Sequence, residues 1–365
     1  PPRSTLFPYT TLFRSDDVSD VIRAEIMNLS YDLELLRRAS LLPHSIFEQR
    51  AGRRVLDSEY AELVHFRKAA LWLSASARLK AAQGDYQGAM DEIAVMTRIA
   101  NQEHFGSNLV CALVGLGFHD CAFNAFNAIV SQHALTAEDV SAVARLDPNI
   151  SQLMFQQSLL MEQAYAFASM ASAFNDPLSF YYEMTEYPGV FAFNGIQSNN
   201  SFLIVGCSLF RVFYSKSEID GYRSIIRILM SIQSEPYSMS KLIIEQNADR
   251  RHGLIASLLK PPFIKVYKKS VAASARQKLI RVGCAVISYR SAHGHYPNEL
   301  LDLVPQFINY DLLDPFDGKM LRYAPYGNGV VLFSIGDSDA DEIDIIESIA
   351  DERNTDHIIL RIGTD

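Results

Sequence analysis

The side chains best suited to hold an ion crowd into SIGDSDADEID, where Ser334, Asp337, Asp339, Asp341, Glu342 and Asp344 lie close together. Hard cations take several oxygen ligands, often from a flexible loop. In an extended backbone the alternation of Asp337, Asp339 and Asp341 sets three carboxylates on one side. These three are therefore the candidate calcium ligands. The calcium loop of an EF-hand is not met, because no Gly stands at its sixth position. A solvated acidic loop is the competing reading.

Other residues with chemical capacity are scattered. His293 and His295 flank Gly294. Two histidines so spaced can ligate a metal or act as base and partner, but no acid or Cys stands beside them, and a surface turn is the expectation. His104 and His119 face apolar helices, and with Glu103 they would serve an enzyme whose site lies in the helical domain or in a cleft between domains. GxSxG, HExxH, the Walker A loop and GxGxxG are all absent. Cys111, Cys121, Cys207 and Cys284 form no CxxC pair and have no His at zinc-finger spacing. Buried thiols are expected, with a Cys111–Cys121 disulfide open to an exported chain.

The elements that must position these residues follow from composition and periodicity. A chain of 365 residues suggests about two domains. With 48% hydrophobic and 21% charged residues, it can build a core and is no candidate for wholesale disorder. A formal charge of −9 argues against a nucleic-acid surface, which is basic. The lysines of Lys265–Lys269 are too few to change that.

Residues 1–15, PPRSTLFPYTTLFRS, look like translated adapter sequence and are expected to add nothing to the fold. On that reading the true N-terminus is lost, together with any signal or anchor it carried. No later window promises a membrane span; the best, Phe202–Phe213, is short and interrupted by Arg211.

From Asp16 to about Lys260 the pattern is helical. Val18, Ile22, Ile26, Leu29 and Leu33 mark one face of a first helix, capped at Ser19-Asp20. Gly84-Asp85 turns a long helix back into Tyr86–Ala100. Asn108–Ser131 is apolar nearly all round and belongs inside a helical stack. Thr136 and Asp139 form a near capping box, and Asp147-Pro148-Asn149 opens a further helix. Turn chemistry fills Asn175–Ser201. Pro261-Pro262 should end the helical series, giving a linker at 261–272. The hairpin around Gly84, Asp85, Tyr86, Ala89, Met90 and Ile93 resembles one tetratricopeptide unit, with no second copy at that period.

After the prolines the character changes. Val271–Ser291 is amphipathic, Gly294 suits a left-handed cap, and Asn298 opens a short helix that stops at Pro305. Asp317-Gly318 and the turn Tyr326–Gly329 separate strands at Met320–Tyr323 and Val330–Ile335, and His357–Ile362 closes as a third strand.

That order resembles the globular part of type II secretion major pseudopilins and related type IV pilin-like proteins. The residues that carry the likeness are Tyr289-Arg290, Gly294, Tyr296-Pro297, Leu300, Leu303-Val304-Pro305, Asp314-Pro315-Phe316, Gly318, Tyr323 and Leu332-Phe333-Ser334-Ile335-Gly336. They span about a quarter of the chain. The resemblance implies a helix-plus-sheet module and a calcium loop at the acidic stretch. Two departures matter. Ser338 stands where the family has an Asp, and the stretch KPPFIKVYKKSVAAS before the helix is too polar for a pilin's membrane half-helix. A module grafted after a helical domain is similar to an arrangement in bacterial proteins of planctomycete type.

The reading is a mainly α chain with a small C-terminal α+β domain. A helical-hairpin stack at 16–260 is followed by a linker at 261–272 and a pseudopilin-like module at 273–365, expected to fold by itself. The function expected is a non-enzymatic interaction or scaffold protein with a protein partner. It would touch a membrane only through the missing N-terminus, and export or envelope association stays open. The alternative is an enzyme using Glu103, His104 or His119.

Overall fold

A computed structural model describes residues 16–42, 61–102, 109–146, 155–164, 215–232, 235–247, 254–309, 311–337 and 357–363. The expected N-terminal tail, Pro43, Asp147-Pro148-Asn149, the segment Asn175–Ser201 and Phe202–Phe213 lie outside the described residues.

Helices α1 (Asp16–Asn28) and α2 (Ser30–Ala39) follow one another through a single turn residue, Leu29. The hydrogen bonds run on across it, from Leu29 N–H to Glu25 O and from Leu33 N–H to Leu29 O. The helix starts at Asp16, ahead of the Ser19-Asp20 cap that was expected. Helix α3 (Ala61–Ala82) turns at Gly84, whose φ is +83°, into α4 (Tyr86–Gln102). Asp85 caps α4 by accepting the Gly88 N–H at 2.9 Å. The expected hairpin is thus present, with Ala89, Met90 and Ile93 fully buried along it.

Helix α5 (Leu109–Gln132) packs on both α3 and α4. By length and composition it is apolar enough to cross a membrane, a window the sequence reading passed over, yet 67% of that window is buried inside the protein. Phe118, Phe126 and Val130 are wholly enclosed. Cys111 and Cys121 both stand on α5, about 15 Å apart along its axis, so the disulfide left open between them is out of reach. Burial pushes the Cys121 thiol up to about 11 and that of Cys284 to about 12, so both stay protonated. Thr136 and Asp139 do form a reciprocal box, but it opens only the four-residue α6 (Ser141–Ala144).

Helices α7 (Ser215–Ser231) and α8 (Tyr237–Gln246) lead to α9 (Leu254–His293), which runs for 40 residues. The linker expected at 261–272 is part of this helix, so Pro261-Pro262 does not mark the boundary assigned to it. Two prolines forfeit backbone hydrogen bonds. Past them Phe263, Val266, Tyr267 and Val271 are buried, and that packing overrides the local rule.

Helix α9 ends at Gly294, with φ +77° and its N–H on Arg290 O. The expected short helix is a 3₁₀ turn, Leu300–Leu303, capped by Glu299 and Asp302 instead of Asn298. Three antiparallel strands follow in the order β1-β2-β3: β1 (Arg322–Tyr326), β2 (Gly329–Ser334) and β3 (Ile358–Ile362). Leu332 stands opposite Tyr323 on one side and Leu360 on the other. The first strand begins two residues later than Met320, which makes an isolated bridge to Leu313.

The sheet and the helices share one hydrophobic core, in which Ala77, Phe118 and Phe126 belong with Leu279, Leu332 and Leu360. The outer edge of β3 bonds to α5: Asn127 Nδ2 donates to Ile359 O at 3.2 Å, Arg361 N–H donates to Asn127 Oδ1 at 3.0 Å, and Gly363 N–H donates to Val130 O at 2.9 Å. A Cβ on Gly283 would stand 2.7 Å from Leu360 Cδ2 and 3.3 Å from Phe126, so glycine there lets α9 pack closely on both α5 and β3.

These contacts change the expectation for the C-terminal module. Residues 263–365 expressed alone leave the edge of β3 unpaired and the apolar side of α9 in water. Their amide spectrum should be collapsed where that of the whole chain is dispersed. A dispersed fragment spectrum would restore the independent module. Asn127→Ala in the whole chain should cost about 1–3 kcal/mol, read from denaturant unfolding.

Candidate functional site

The C-terminal module is tied together by Asp314, whose side chain is wholly buried. Its Oδ1 accepts from Phe316 N–H at 3.0 Å and Ser334 Oγ at 2.9 Å; its Oδ2 accepts from Ile335 N–H at 2.9 Å and Arg322 Nη1 at 3.0 Å. Burial pushes this carboxyl upward, against hydrogen bonds that favour the charge. Arg322 also pairs with Asp317. The same loop receives α8: Tyr237 N–H donates to Pro315 O at 2.9 Å and Ser238 N–H to Phe316 O at 2.8 Å. Every lone pair of Asp314 that a substrate would use is occupied by the protein.

Of the three expected calcium ligands, Asp337 alone lies within the described residues. Its Oδ2 stands 2.6 Å from Lys268 Nζ and its Oδ1 3.3 Å from Lys241 Nζ. Partial burial alone would raise this carboxyl, but hydrogen bonds and charge from the two lysines hold it below the usual range. Asp337 thus already pairs with two cations, one from α8 and one from α9. Asp339 and Asp341 lie outside the described residues. Among the described residues, no group of three or more His, Cys, Asp or Glu gathers to hold a metal.

Glu103 and His104 also lie outside the described residues. His119 is buried on α5, with the Gln277 amide nitrogen of α9 at 2.8 and 2.9 Å from its two ring nitrogens. Burial, helped by the charge of Arg276, lowers the imidazole to about 3, so it is neutral throughout the physiological range. Arg276 itself pairs with Asp120 at 2.8 Å. A base needs access to a substrate proton, and this ring is sealed between two helices.

A second heavily partnered acid escaped the sequence reading. Glu92 on α4 is 1% exposed and takes Arg37 of α2 at 2.5 Å, Ser76 of α3 at 2.9 Å and Lys80 of α3 at 2.9 Å. Burial would raise its carboxyl; hydrogen bonds from Arg37 and Lys80, and their charges, outweigh that and hold it low. The available signal was its phase, three residues after Ala89 on a buried face. An apolar crevice lined by Ile225, Leu229, Ile244 and Ile264 carries no titratable side chain of its own. Compared with protein-family models, with curated proteins and with solved structures, the chain matches none.

Two buried groups give separable pH effects. With His119 held neutral in the fold and ordinary at about 6.5 when unfolded, the unfolded chain binds the extra proton below that pH. Stability therefore falls as pH drops from about 6.5 toward about 3, by up to about 1.4 kcal/mol per pH unit. His119→Gln should flatten the melting temperature between pH 7 and 5; an unchanged slope would assign it to other groups. Glu92 acts in the lower window. Its lowered carboxyl stabilises the fold above the ordinary carboxyl range of about 4.3 and loses that contribution as pH falls through its folded value. Glu92→Gln should cost about 1–3 kcal/mol at pH 7, since Arg37 and Lys80 are partly exposed and can regain water.

Calcium is tested by freeing Asp337. The pair Lys241→Met with Lys268→Met should let millimolar calcium raise the melting temperature more than it does for the native chain. An equal response means that Asp337 is no ligand.

Proposed function

We propose that the chain is a non-enzymatic interaction protein, a scaffold in which a helical layer holds a protein partner and a pseudopilin-like module offers a second docking surface. The order of long helix, Gly294 turn and antiparallel sheet supports that likeness for the module.

The observation that carries the interaction reading is the outer face of α1 and α2. Each helical residue turns the side chain by about 100°. Ile26, Leu29, Leu33 and Leu36 share one face and pack on the core. Val21, Met27, Tyr31 and Leu35 share the opposite face and stand in water, Val21 at 70% and Tyr31 at 72% exposure, with Leu42 beyond them. A helix apolar on two opposite faces is the pattern of a helix with neighbours on both sides, and exposed apolar patches of this kind mark interaction surfaces.

The charges beside the stripe fit a second copy of the chain. They read Asp20, Arg23, Glu34 and Arg38. Two such rods running antiparallel, crossing near Leu29, set Asp20 opposite Arg38 and Arg23 opposite Glu34. On the other flank Glu25 meets Asp32, a like-charge contact that weakens the pairing.

Sedimentation velocity over a concentration series checks this. The native chain should show a monomer–dimer equilibrium. Tyr31→Lys with Leu35→Lys should abolish it while leaving melting within about 0.5 kcal/mol of native. Arg38→Glu should weaken the dimer, and adding Asp20→Lys should restore it. A chain that stays monomeric, or a dimer indifferent to these changes, removes the second copy as partner.

A further inference from the structure

We infer that His293 and His295 form a surface binding site for a borderline divalent metal ion such as zinc. This goes beyond the interaction reading and does not depend on it.

The two rings stand at the end of α9, on either side of Gly294. His293 Nδ1 lies 3.0 Å from Tyr289 O, and His295 Nδ1 lies 2.9 Å from Tyr296 O. A carbonyl oxygen only accepts, so each Nδ1 carries the hydrogen and each Nε2 is left with the lone pair. This is the tautomer a metal requires, set by the outer-shell bond that usually accompanies histidine ligands. Both side chains are exposed, so an ion has access from water.

Spacing fits one ion. The ring centroids are 6.1 Å apart. With metal–nitrogen bonds of about 2.0–2.1 Å, two imidazoles on one ion hold their centroids about 5–6.5 Å apart. The first ring is also held in place: His293 stacks on Tyr289 at 4.1 Å, and Phe307 meets it edge-on at 5.9 Å. Gly294, with φ +77°, supplies the tight turn that brings the second histidine back toward the first.

Electrostatics favour a cation at this place. The carbonyl end of a long helix carries partial negative charge. Arg290, one turn back along α9, is turned onto Tyr296, donating to its hydroxyl at 2.7 Å and lying 4.6 Å over its ring. No third His, Cys, Asp or Glu joins the pair among the described residues, so water fills the remaining positions. Two imidazoles and water suit zinc, copper or nickel and not calcium or magnesium.

The probe is zinc chloride, titrated calorimetrically into the tag-free whole chain. One saturable equivalent is expected. His293→Ala and His295→Ala should each weaken it at least about tenfold, and His65→Ala, exposed on α3, should not. Both target histidines are exposed, so unaltered melting without metal verifies that the variants fold. In long-range nitrogen spectra the Nε2 signals of both rings should move together on addition of zinc, with Nδ1 still protonated. Zinc binding that survives the double variant, or no saturable binding by the native chain, overturns the site.

Discussion

An unpaired sheet edge has to be satisfied, and here the partner is a helix. The outer edge of β3 meets Asn127, whose amide serves both a carbonyl and an N–H of the strand, and Val130, whose carbonyl takes the next N–H. Edge strands left open invite pairing with other chains. Closing this edge with α5 sets how near the sheet must come to the helices. Gly283 then lets α9 pack closely on both Phe126 and Leu360. Once α9 is fixed there, its earlier turns are carried into the helical layer, where Tyr267 donates to Ser240 at 2.9 Å and stacks near Tyr237. The module and the helical layer therefore form a single packed body about one long helix.

Buried charge acts as the second organiser, and it does so in two separate places. Glu92 draws groups from α2 and α3 onto α4; Asp314 draws Arg322, Ser334 and two backbone N–H groups onto one loop. Replacing such ion pairs with apolar groups is often neutral or stabilising, whereas breaking one is costly. Their contribution is specificity of arrangement. In each case the acid is fully engaged within the protein and no lone pair faces a cleft. The same holds for His119 against Gln277. These three groups, among the described residues, are thus closed to other molecules.

What could be read from the sequence was what is local. Gly84, Gly294 and the Asp317-Gly318 turn each answer a backbone demand within a few residues, and the structure has a turn at each. The apolar run at Val330–Ile335 became the central strand, with Val331 and Phe333 buried on one face and Leu332 on the other. The fold class, mainly α with a small C-terminal α+β part, followed from those signals. What escaped was non-local. Pro261-Pro262 reads as a stop by every local rule, and only the burial of Phe263 to Val271 explains a helix through it. Asn127 looks like one polar residue on an apolar helix until a strand more than two hundred residues later lies beside it. Asp337 reads as one ligand among several acids until two lysines from other helices arrive on it.

The contrast between Asp337 and the histidine pair shows which surface groups can still take an ion. An acid on an extended loop draws whatever cation is nearest, and in a chain whose helices carry lysines toward it that cation is an ammonium. Each lysine brings its charge on a tether, so the pairing is intramolecular and a dissolved ion must compete with it. A neutral imidazole attracts no ammonium in this way. It competes for metal by a lone pair, and in both His293 and His295 the Nδ1 hydrogen is donated to a backbone carbonyl at the end of α9. Asp337, the acid of that loop within the described residues, is therefore already paired from within, and the turn that looked bare keeps its coordinating atoms free.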